Sequence, residues 1–326
     1  MRVLVTGGSG YVGSHAVREL AEAGHEVIIY DNLSTGHRKL SDGFELVEGE
    51  ISDVEKLAPL LDRVEAVMHF AACAYVGESV ANPRKYFQNN VESALKLMDA
   101  VLASKVRKFI FSSTNSIYGI PESLPITEDS PKNPINPYGA TKLFFEHVLS
   151  AYSASHGLRY VALRYFNAAG AHPNGLIGEV HDPETHLIPL VLKAVLKVAP
   201  PLKVFGHELP TPDGTCIRDY IHVNDLGAAH VLALEYLAAG GDSVSLNLGT
   251  GRGTSVKEIM DSFKRLTGID VPHELAPPRA GDPPALFANA TRAKEVLGWV
   301  ATRNVDDILT SAWQWQQKLE AANYQL

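Results

Sequence analysis

Tyr138 and Lys142 stand four residues apart in the segment Tyr138-Gly139-Ala140-Thr141-Lys142. On a helix, residues i and i+4 share a face, so the lysine ammonium would lie one turn from the phenol. Free tyrosine titrates near ~10, but a nearby cation lowers its pKa, and an oxidised nicotinamide would add a second positive charge. The spacing therefore predicts a general base beside a nicotinamide. Alone, the pair is more typical of an ordinary half-exposed helix than of a catalytic site.

A glycine-rich turn near the start of the chain supports the prediction that Tyr138 and Lys142 lie beside a nicotinamide cofactor. Gly7, Gly10 and Gly13 follow a strand-like run at 2–6 and lead into a helical pattern at 14–23. Backbone N–H groups at such a helix start can bind a pyrophosphate. Asp31 closes the second predicted strand, where its carboxylate would accept hydrogen bonds from an adenosine ribose and repel a 2'-phosphate. These residues predict NAD, rather than NADP, as the cofactor.

The first half of the chain alternates short apolar runs with amphipathic stretches. Runs that are apolar throughout indicate strands buried on both faces, and the repeated strand-helix order indicates a parallel sheet. The predicted fold class is α/β, a Rossmann-type doubly wound sheet with a smaller C-terminal substrate-binding domain. We expect residues 1–167 to form the NAD-binding domain and 168–326 mainly the substrate domain, with about 219–248 returning to the first. The predicted strands are 2–6, 26–30, 44–47, 66–70, 108–112 and 160–164.

Composition narrows the class of protein further. The chain has 326 residues, a net charge of -8 and a pI near 5.9, which argue against nucleic-acid binding through a general basic surface. Cys73 and Cys216 are its two cysteines, too few for a disulfide framework or a cysteine-rich zinc site. We find neither a signal-peptide pattern nor an apolar run long enough to span a bilayer, and expect a cytoplasmic protein that binds no membrane.

Thr114 is the third candidate for catalysis. It ends the segment Ser112-Ser113-Thr114, which runs off a predicted strand. Ligands of open parallel sheets bind beyond the carboxyl ends of the strands, so its hydroxyl would face the same cleft as Tyr138. A hydroxyl at a strand end also commonly caps the next helix. The presence of Tyr138 and Lys142 favours a catalytic role for Thr114 over a cap.

Taken together, these residues resemble the extended short-chain dehydrogenase/reductases, and within them the nucleotide-sugar 4-epimerases. The likeness covers nearly the whole chain and is far more specific than any single motif. Besides the glycine turn and the Tyr-Lys pair, it rests on the segments His69-Phe70-Ala71-Ala72, Val76-Gly77-Glu78-Ser79, Arg164-Tyr165-Phe166-Asn167, residues 214–223 and Arg279-Ala280-Gly281-Asp282.

The resemblance implies an isomerase that retains NAD and interconverts UDP-glucose and UDP-galactose. NAD would oxidise the sugar at C4, the 4-keto intermediate would rotate while held by its UDP, and hydride would return to the opposite face. Tyr138, Lys142 and Thr114 would be catalytic, Tyr138 and Thr114 would also touch the sugar, and the protein would be a homodimer. It further implies contacts to NAD from Tyr11, Val12, Asn32, Glu50, Ile51, Phe70, Ala71, Ala72, Asn89, Ser112, Tyr138, Lys142, Tyr165 and Phe166. Contacts to the UDP-sugar are implied for Asn167, His186, Leu187, Phe205, Arg218, Arg279 and Asp282.

Four positions depart from the family pattern, the first being Thr114, where many bacterial members have a serine and where threonine keeps the hydroxyl. Glu50 stands where aspartate is usual near the adenine, and Ala74 replaces a lysine found in well-known members. Leu286 occupies a position that is tyrosine or a small residue elsewhere, near where a sugar N-acetyl group needs space. Substrate breadth therefore stays open between UDP-hexoses, UDP-arabinose or UDP-xylose, and UDP-N-acetylhexosamines.

The sequence argues against two further function classes and against a metal site. A nucleotide-sugar dehydratase would carry an acid-base pair just after Ser113, which Thr114-Asn115 does not provide. A non-catalytic NAD-binding module would not need both Tyr138 and Lys142. The segment His181 to His186 offers metal-ligating side chains, but Pro183 disfavours placing them on one helix face. The sequence therefore predicts no metal site.

Overall fold

The computed structural model describes residues 1–279 and 283–321. Its strands are β1 Arg2–Thr6, β2 Glu26–Asp31, β3 Glu45–Glu48, β4 Ala66–His69, β5 Lys108–Thr114, β6 Arg159–Tyr165, β7 Asn167–Ala169, β8 Leu202–Phe205, β9 Ile217–Arg218, β10 Tyr220–His222, β11 Val244–Leu248, β12 Thr254–Ser255, β13 His273–Ala276 and β14 Ala285–Leu286. Its α-helices are α1 Tyr11–Glu22, α2 Val54–Leu61, α3 Val76–Ala81, α4 Pro83–Phe87, α5 Ala94–Ala103, α6 Pro137–His156, α7 Leu187–Val195, α8 Val223–Ala238, α9 Val256–Thr267, α10 Thr291–Leu297 and α11 Val305–Glu320.

A seven-stranded parallel sheet with the order β3-β2-β1-β4-β5-β6-β11 forms the centre of the described structure. The six predicted strands all occur, with ends that differ by one or two residues. Apolar side chains cover both faces, because separate hydrophobic clusters pack on either side of the sheet. The Rossmann-type prediction is confirmed, and the order reverses beside β1, where such sheets bind their ligands.

The seventh strand, β11, arrives late in the chain and pairs with β6. Before it, α8 packs against α1 on one face of the sheet. The segment that was expected to return from the C-terminal half thus contains α8 and β11. The boundary between a cofactor domain at 1–167 and a substrate domain beyond it stays a prediction.

Short sheets and three helices build the rest of the C-terminal half. β8 pairs with β13, β7 with β10, and β9 lies between β12 and β14. A third hydrophobic cluster lies among α7, α9 and α11. None of the helices in the described part of the chain combines the length and the apolar character needed to cross a membrane.

Asp219 links the two halves through its buried carboxylate. The oxygens accept hydrogen bonds from the backbone N–H groups of Thr250, Gly251 and Ala288 and from the Thr250 hydroxyl. The loop after β11 and the chain after β14 are therefore tied to the residue between β9 and β10. This connection places Arg218 and Leu286, which are register partners in β9 and β14.

A buried ion pair lies beneath the ends of β5 and β6. Arg164 Nη2 lies 2.6 Å from Glu146 Oε2, and both side chains are 6% exposed. Arg164 also donates to the Tyr118 hydroxyl at 2.9 Å, and the Ser113 hydroxyl donates to Glu146 Oε1 at 2.5 Å. Paired and hydrogen-bonded in this way, the charges hold α6 against the sheet.

We expect the substitution Arg164→Leu to lower the free energy of unfolding by about 3–5 kcal/mol, because it leaves the Glu146 carboxylate buried without its partner. Urea denaturation measures the change. Arg63→Leu is the matched control: Arg63 pairs with Glu45 at the surface, where both side chains are about 40% exposed, and its removal should cost less than about 1 kcal/mol. Equal losses in the two variants would show that the buried pair has no special role.

Candidate active site

The helix α6 carries Tyr138 and Lys142 in its first turns. Asn136 caps the helix by accepting a hydrogen bond from the Gly139 N–H at 2.8 Å, and Pro137 occupies the first helical position. Lys142 is buried, and its Nζ lies 5.9 Å from the centre of the Tyr138 ring. The two side chains therefore share one helix face. Asn136 was not predicted, although an Asn-Pro pair before a helical pattern is the signal of such a cap.

The hydroxyls at the end of β5 lie in the same region. Lys142 Nζ donates to the Ser112 carbonyl oxygen at 2.8 Å, so the ammonium is fixed to the strand that ends at Thr114. The Ser112 hydroxyl lies 2.6 Å from the Tyr165 hydroxyl. The Thr114 hydroxyl also lies close enough to the Tyr138 phenol to lower its pKa. The structure thus brings together the predicted trio of Thr114, Tyr138 and Lys142.

Loss of surrounding water dominates the titration of Tyr138 and Lys142. It raises the pKa of Tyr138 to about 12, and the nearby Thr114 hydroxyl opposes the rise only in part. Burial lowers the pKa of Lys142 to about 7, against the opposing influence of Cys73 and Glu146. The protein groups by themselves do not make Tyr138 a base at neutral pH. The phenolate expected from the sequence therefore needs the further positive charge of an oxidised nicotinamide.

The glycine turn after β1 has no room for side chains. A Cβ at Gly7 would lie 2.4 Å from the Ala71 nitrogen, and one at Gly13 would lie 2.2 Å from the Gly7 oxygen. Gly7 has a φ of 76°, and Gly10 begins α1 without a side-chain cap. A bare helix start beside a compact turn fits the pyrophosphate of a dinucleotide.

Asp31 ends β2 next to this turn. Its carboxylate accepts hydrogen bonds from the Ser9 and Leu33 backbone N–H groups, each at 2.9 Å, and burial raises its pKa. The two N–H groups fix the carboxylate in place, and its position at the strand end suits ribose hydroxyls. Farther along the same edge, the Asn32 amide donates to both Glu50 carboxylate oxygens at 3.1 Å.

The remaining predicted cofactor residues follow the ends of neighbouring strands or begin α1. Phe70 and Ala71 donate their backbone N–H groups to the Thr6 carbonyl oxygen, which holds the turn after β4 against the glycine turn. The Tyr11 hydroxyl donates to the Gly170 carbonyl oxygen at 2.6 Å. The Asn89 amide donates to Asn90 Oδ1. The others are half-buried or buried at these positions, namely Val12, Ile51, Ala72 and Phe166.

The predicted substrate residues form two groups in the C-terminal half. The Arg279 guanidinium lies 5.0 Å from the centre of the Phe205 ring, and Arg218 donates to the Ile217 and Pro283 carbonyl oxygens. Burial raises the pKa of Tyr220, and the charges of both arginines oppose that rise. Asn167 donates to the Asp219 carbonyl oxygen at 3.2 Å. Asp282 lies outside the described residues.

His186 and Leu187 belong to the second group, at the start of α7. The His186 ring lies in a cluster with Glu179, His181 and Glu184, whose ligating atoms all lie within 4.8 Å of one another. The sequence argument against a metal held that neither a helix face nor the loop spacing would bring these side chains together, whereas the loop folds them into one cluster. Glu179 was missed because it precedes the His-rich stretch.

Comparison with known proteins agrees with this geometry. Residues 3–249 match the NAD dependent epimerase/dehydratase family. The chain belongs to that family. A UDP-glucose 4-epimerase of Lactobacillus helveticus is 47% identical over 97% of each chain. The predicted family resemblance and the epimerase class are thereby confirmed.

Solved structures of the epimerase/dehydratase family share the whole fold. The UDP-glucose 4-epimerase of Brucella ovis in complex with NAD has a TM-score of 0.94 at 51% identity, covering 96% of this chain and 97% of the other. The enzyme from Stenotrophomonas maltophila, with bound NAD and formylated UDP-arabinopyranose, has a TM-score of 0.97 at 39% identity over 99% of each chain. NAD is the cofactor of the family, as the glycine turn and Asp31 predicted.

We expect Gly13→Ala to weaken NAD binding at least about tenfold, because the added methyl would meet the Gly7 carbonyl oxygen, and overpacking of this kind costs roughly 1–3 kcal/mol. NAD released from the purified protein by heating and quantified by chromatography measures the effect. Gly77→Ala is the control, since a Cβ there meets nothing within 4 Å. Full NAD content in the Gly13→Ala protein would remove the turn from the cofactor site.

Proposed function

We propose that this protein is an NAD-dependent epimerase that interconverts UDP-glucose and UDP-galactose at C4 of the sugar. The observation that carries the proposal is the Thr114, Tyr138 and Lys142 trio at the carboxyl ends of the parallel strands, beside the glycine turn. Its relatives of the same length are UDP-glucose 4-epimerases. When bound, NAD supplies reversible oxidation at the sugar C4.

The residues of the chain account for the proton at the sugar 4-oxygen. Tyr138 takes it as general base and gives it back, while the Thr114 hydroxyl hydrogen-bonds the same oxygen. Lys142 is held by the Ser112 carbonyl oxygen, so its charge stays beside the phenol instead of turning into solvent. Because one phenol serves both directions, inversion at C4 requires only that the 4-keto sugar turn in its site.

UDP binding is assigned to the C-terminal half. Arg218 and Arg279 would neutralise the diphosphate, for which the planar guanidinium is well suited. Asn167, Leu187, Phe205 and His186 complete the proposed set, together with Asp282. An anchor on the nucleotide leaves the sugar free to present either face.

A homodimer in the cytoplasm is part of the same proposal. Val80, Phe87 and Phe144 on α3, α4 and α6 expose 64%, 47% and 46% of their surface, respectively. These helices contact one another, so the apolar side chains lie on neighbouring elements around the Tyr138 helix. A second copy of the chain would cover them. Two free cysteines fit a reducing compartment.

The proposed reaction is tested by incubating purified protein, with and without added NAD, with UDP-galactose, UDP-N-acetylgalactosamine and UDP-arabinose in separate reactions. The anomeric proton signals in NMR spectra follow each conversion. We expect epimerisation of UDP-galactose, and Tyr138→Phe should retain NAD while turnover falls roughly 10²–10⁴-fold.

Tyr152→Phe is the matched control for this substitution, since Tyr152 lies on the same helix and is half-buried. It should keep its activity. Conversion of none of the three sugars would refute the epimerase assignment. Near-normal turnover by Tyr138→Phe would refute only the role of Tyr138.

Leu286 is the residue proposed to limit substrate breadth. It pairs with Arg218 in the β9–β14 register, and its side chain is half-buried. We expect Leu286→Ala to raise kcat/KM for UDP-N-acetylglucosamine relative to UDP-glucose by about tenfold, because removing a bulky side chain makes room for the acetyl group. Leu275→Ala, at an exposed position of β13, should leave the ratio unchanged. An unchanged ratio in both variants would place the limit elsewhere.

A further inference from the structure

The loop between β7 and α7 gathers two carboxylates and two imidazoles. Glu179 Oε1 lies 2.7 Å from His186 Nδ1 and 3.1 Å from His181 Nδ1. Glu184 closes the group, with its oxygens 3.4 Å from His186 Nδ1 and 3.8 Å from His181 Nδ1. We propose that these four side chains form a binding site for a divalent transition-metal ion of the zinc class.

The four groups lie within 4.8 Å of one another, and their His–Glu separations bracket the ligand spacing of such an ion. Zinc bonds of about 2.0–2.2 Å to nitrogen and oxygen in a tetrahedral arrangement put neighbouring ligand atoms roughly 3.3–3.5 Å apart. The four separations lie on both sides of that distance, from 2.7 to 3.8 Å. Two carboxylates balance the charge of a divalent ion, and imidazole favours zinc and its transition-metal neighbours over magnesium or calcium.

The second observation is an unpartnered carboxylate oxygen. The Glu179 side chain is 6% exposed, yet its buried Oε1 has no hydrogen bond, and neither does the buried His181 Nδ1. The short distances to both imidazoles therefore come without hydrogen-bond alignment. Two imidazolium-carboxylate pairs would need N–H groups that point at the oxygen. Ligand atoms that lie close together without hydrogen-bond alignment are suited to coordinate one cation placed between them.

Neighbouring contacts hold the ligands in place. The Glu179 carbonyl oxygen accepts a hydrogen bond from Trp315 Nε1 at 3.0 Å, and Glu184 Oε1 accepts the Thr185 and His186 backbone N–H groups at 2.8 Å. Tyr11 and Tyr75 place their rings edge-on to His181. Such support around the ligands is typical of metal sites. These contacts also place the proposed ion between the first turn of α1 and the start of α7.

The test of the site measures bound metal rather than activity, because His186 also belongs to the proposed UDP-binding set. Full-length protein is dialysed against a chelator and then titrated with Co²⁺, whose visible absorption reports four-coordinate binding. We expect one Co²⁺ per chain, displaced by Zn²⁺. His181→Ala and Glu179→Gln should weaken Co²⁺ binding by more than about tenfold.

Two further variants control the experiment. His147→Ala removes an exposed imidazole of α6 and should bind Co²⁺ as the parent does. Glu184→Gln keeps an oxygen that can accept the two backbone N–H groups, so the loop stays folded while a charged ligand is lost, and binding should weaken about tenfold. Circular dichroism and NAD content verify the fold of each variant. Absence of the Co²⁺ band in the parent, or a band that persists in His181→Ala and Glu179→Gln, would overturn the proposal.

Discussion

The structure depends on the close approach of two backbone turns, those after β1 and β4. A Cβ at Gly7 would lie 2.4 Å from the Ala71 nitrogen, and both Phe70 and Ala71 donate their N–H groups to the Thr6 carbonyl oxygen. The sheet order reverses at this point, so the turns lead away on opposite sides and open a cleft. Asp31 and Thr114 end strands along the same edge. The contact between the two turns opens the cleft in which Asp31 and Thr114 can reach a ligand.

Electrostatics divides the catalytic work between protein and cofactor. Burial raises the pKa of Tyr138 to about 12 and lowers that of Lys142 to about 7, so it disfavours the charged form of both side chains. In the proposed reaction the chain would supply position and a low-dielectric setting, and the positive nicotinamide would supply the bias toward the phenolate. A tyrosine whose pKa falls only beside the oxidised cofactor would stay protonated when that cofactor is absent. It would then not abstract protons.

The sequence predicted the elements whose pattern is local and continuous. Six strands of the central sheet, the glycine turn and the Tyr138 helix were all recognisable, because apolar runs and i, i+4 spacing are properties of short segments. β11 and the paired two-residue strands β9, β12 and β14 were not, since their partners are distant in the chain. The cluster around His186 was not predicted, because the spacing of a loop does not reveal which side chains its fold brings together, and only the folded loop shows that Glu179 joins it. Burial, which sets the pKa of Tyr138, is likewise a property of the whole fold.

Successive hydroxyls of β5 serve opposite sides of the sheet. Ser112 lies against Tyr165, whereas Ser113 donates to Glu146 in the buried ion-pair network. Side chains alternate along a strand, so inserting or deleting one residue in β5 would exchange these two environments. A hydroxyl of the cleft would then face Arg164, and Thr114 would turn away from Tyr138. The length of β5 therefore matters to the proposed catalytic site as much as the residues at its end do. Changing a side chain in β5 should disturb the site less than inserting or deleting a residue.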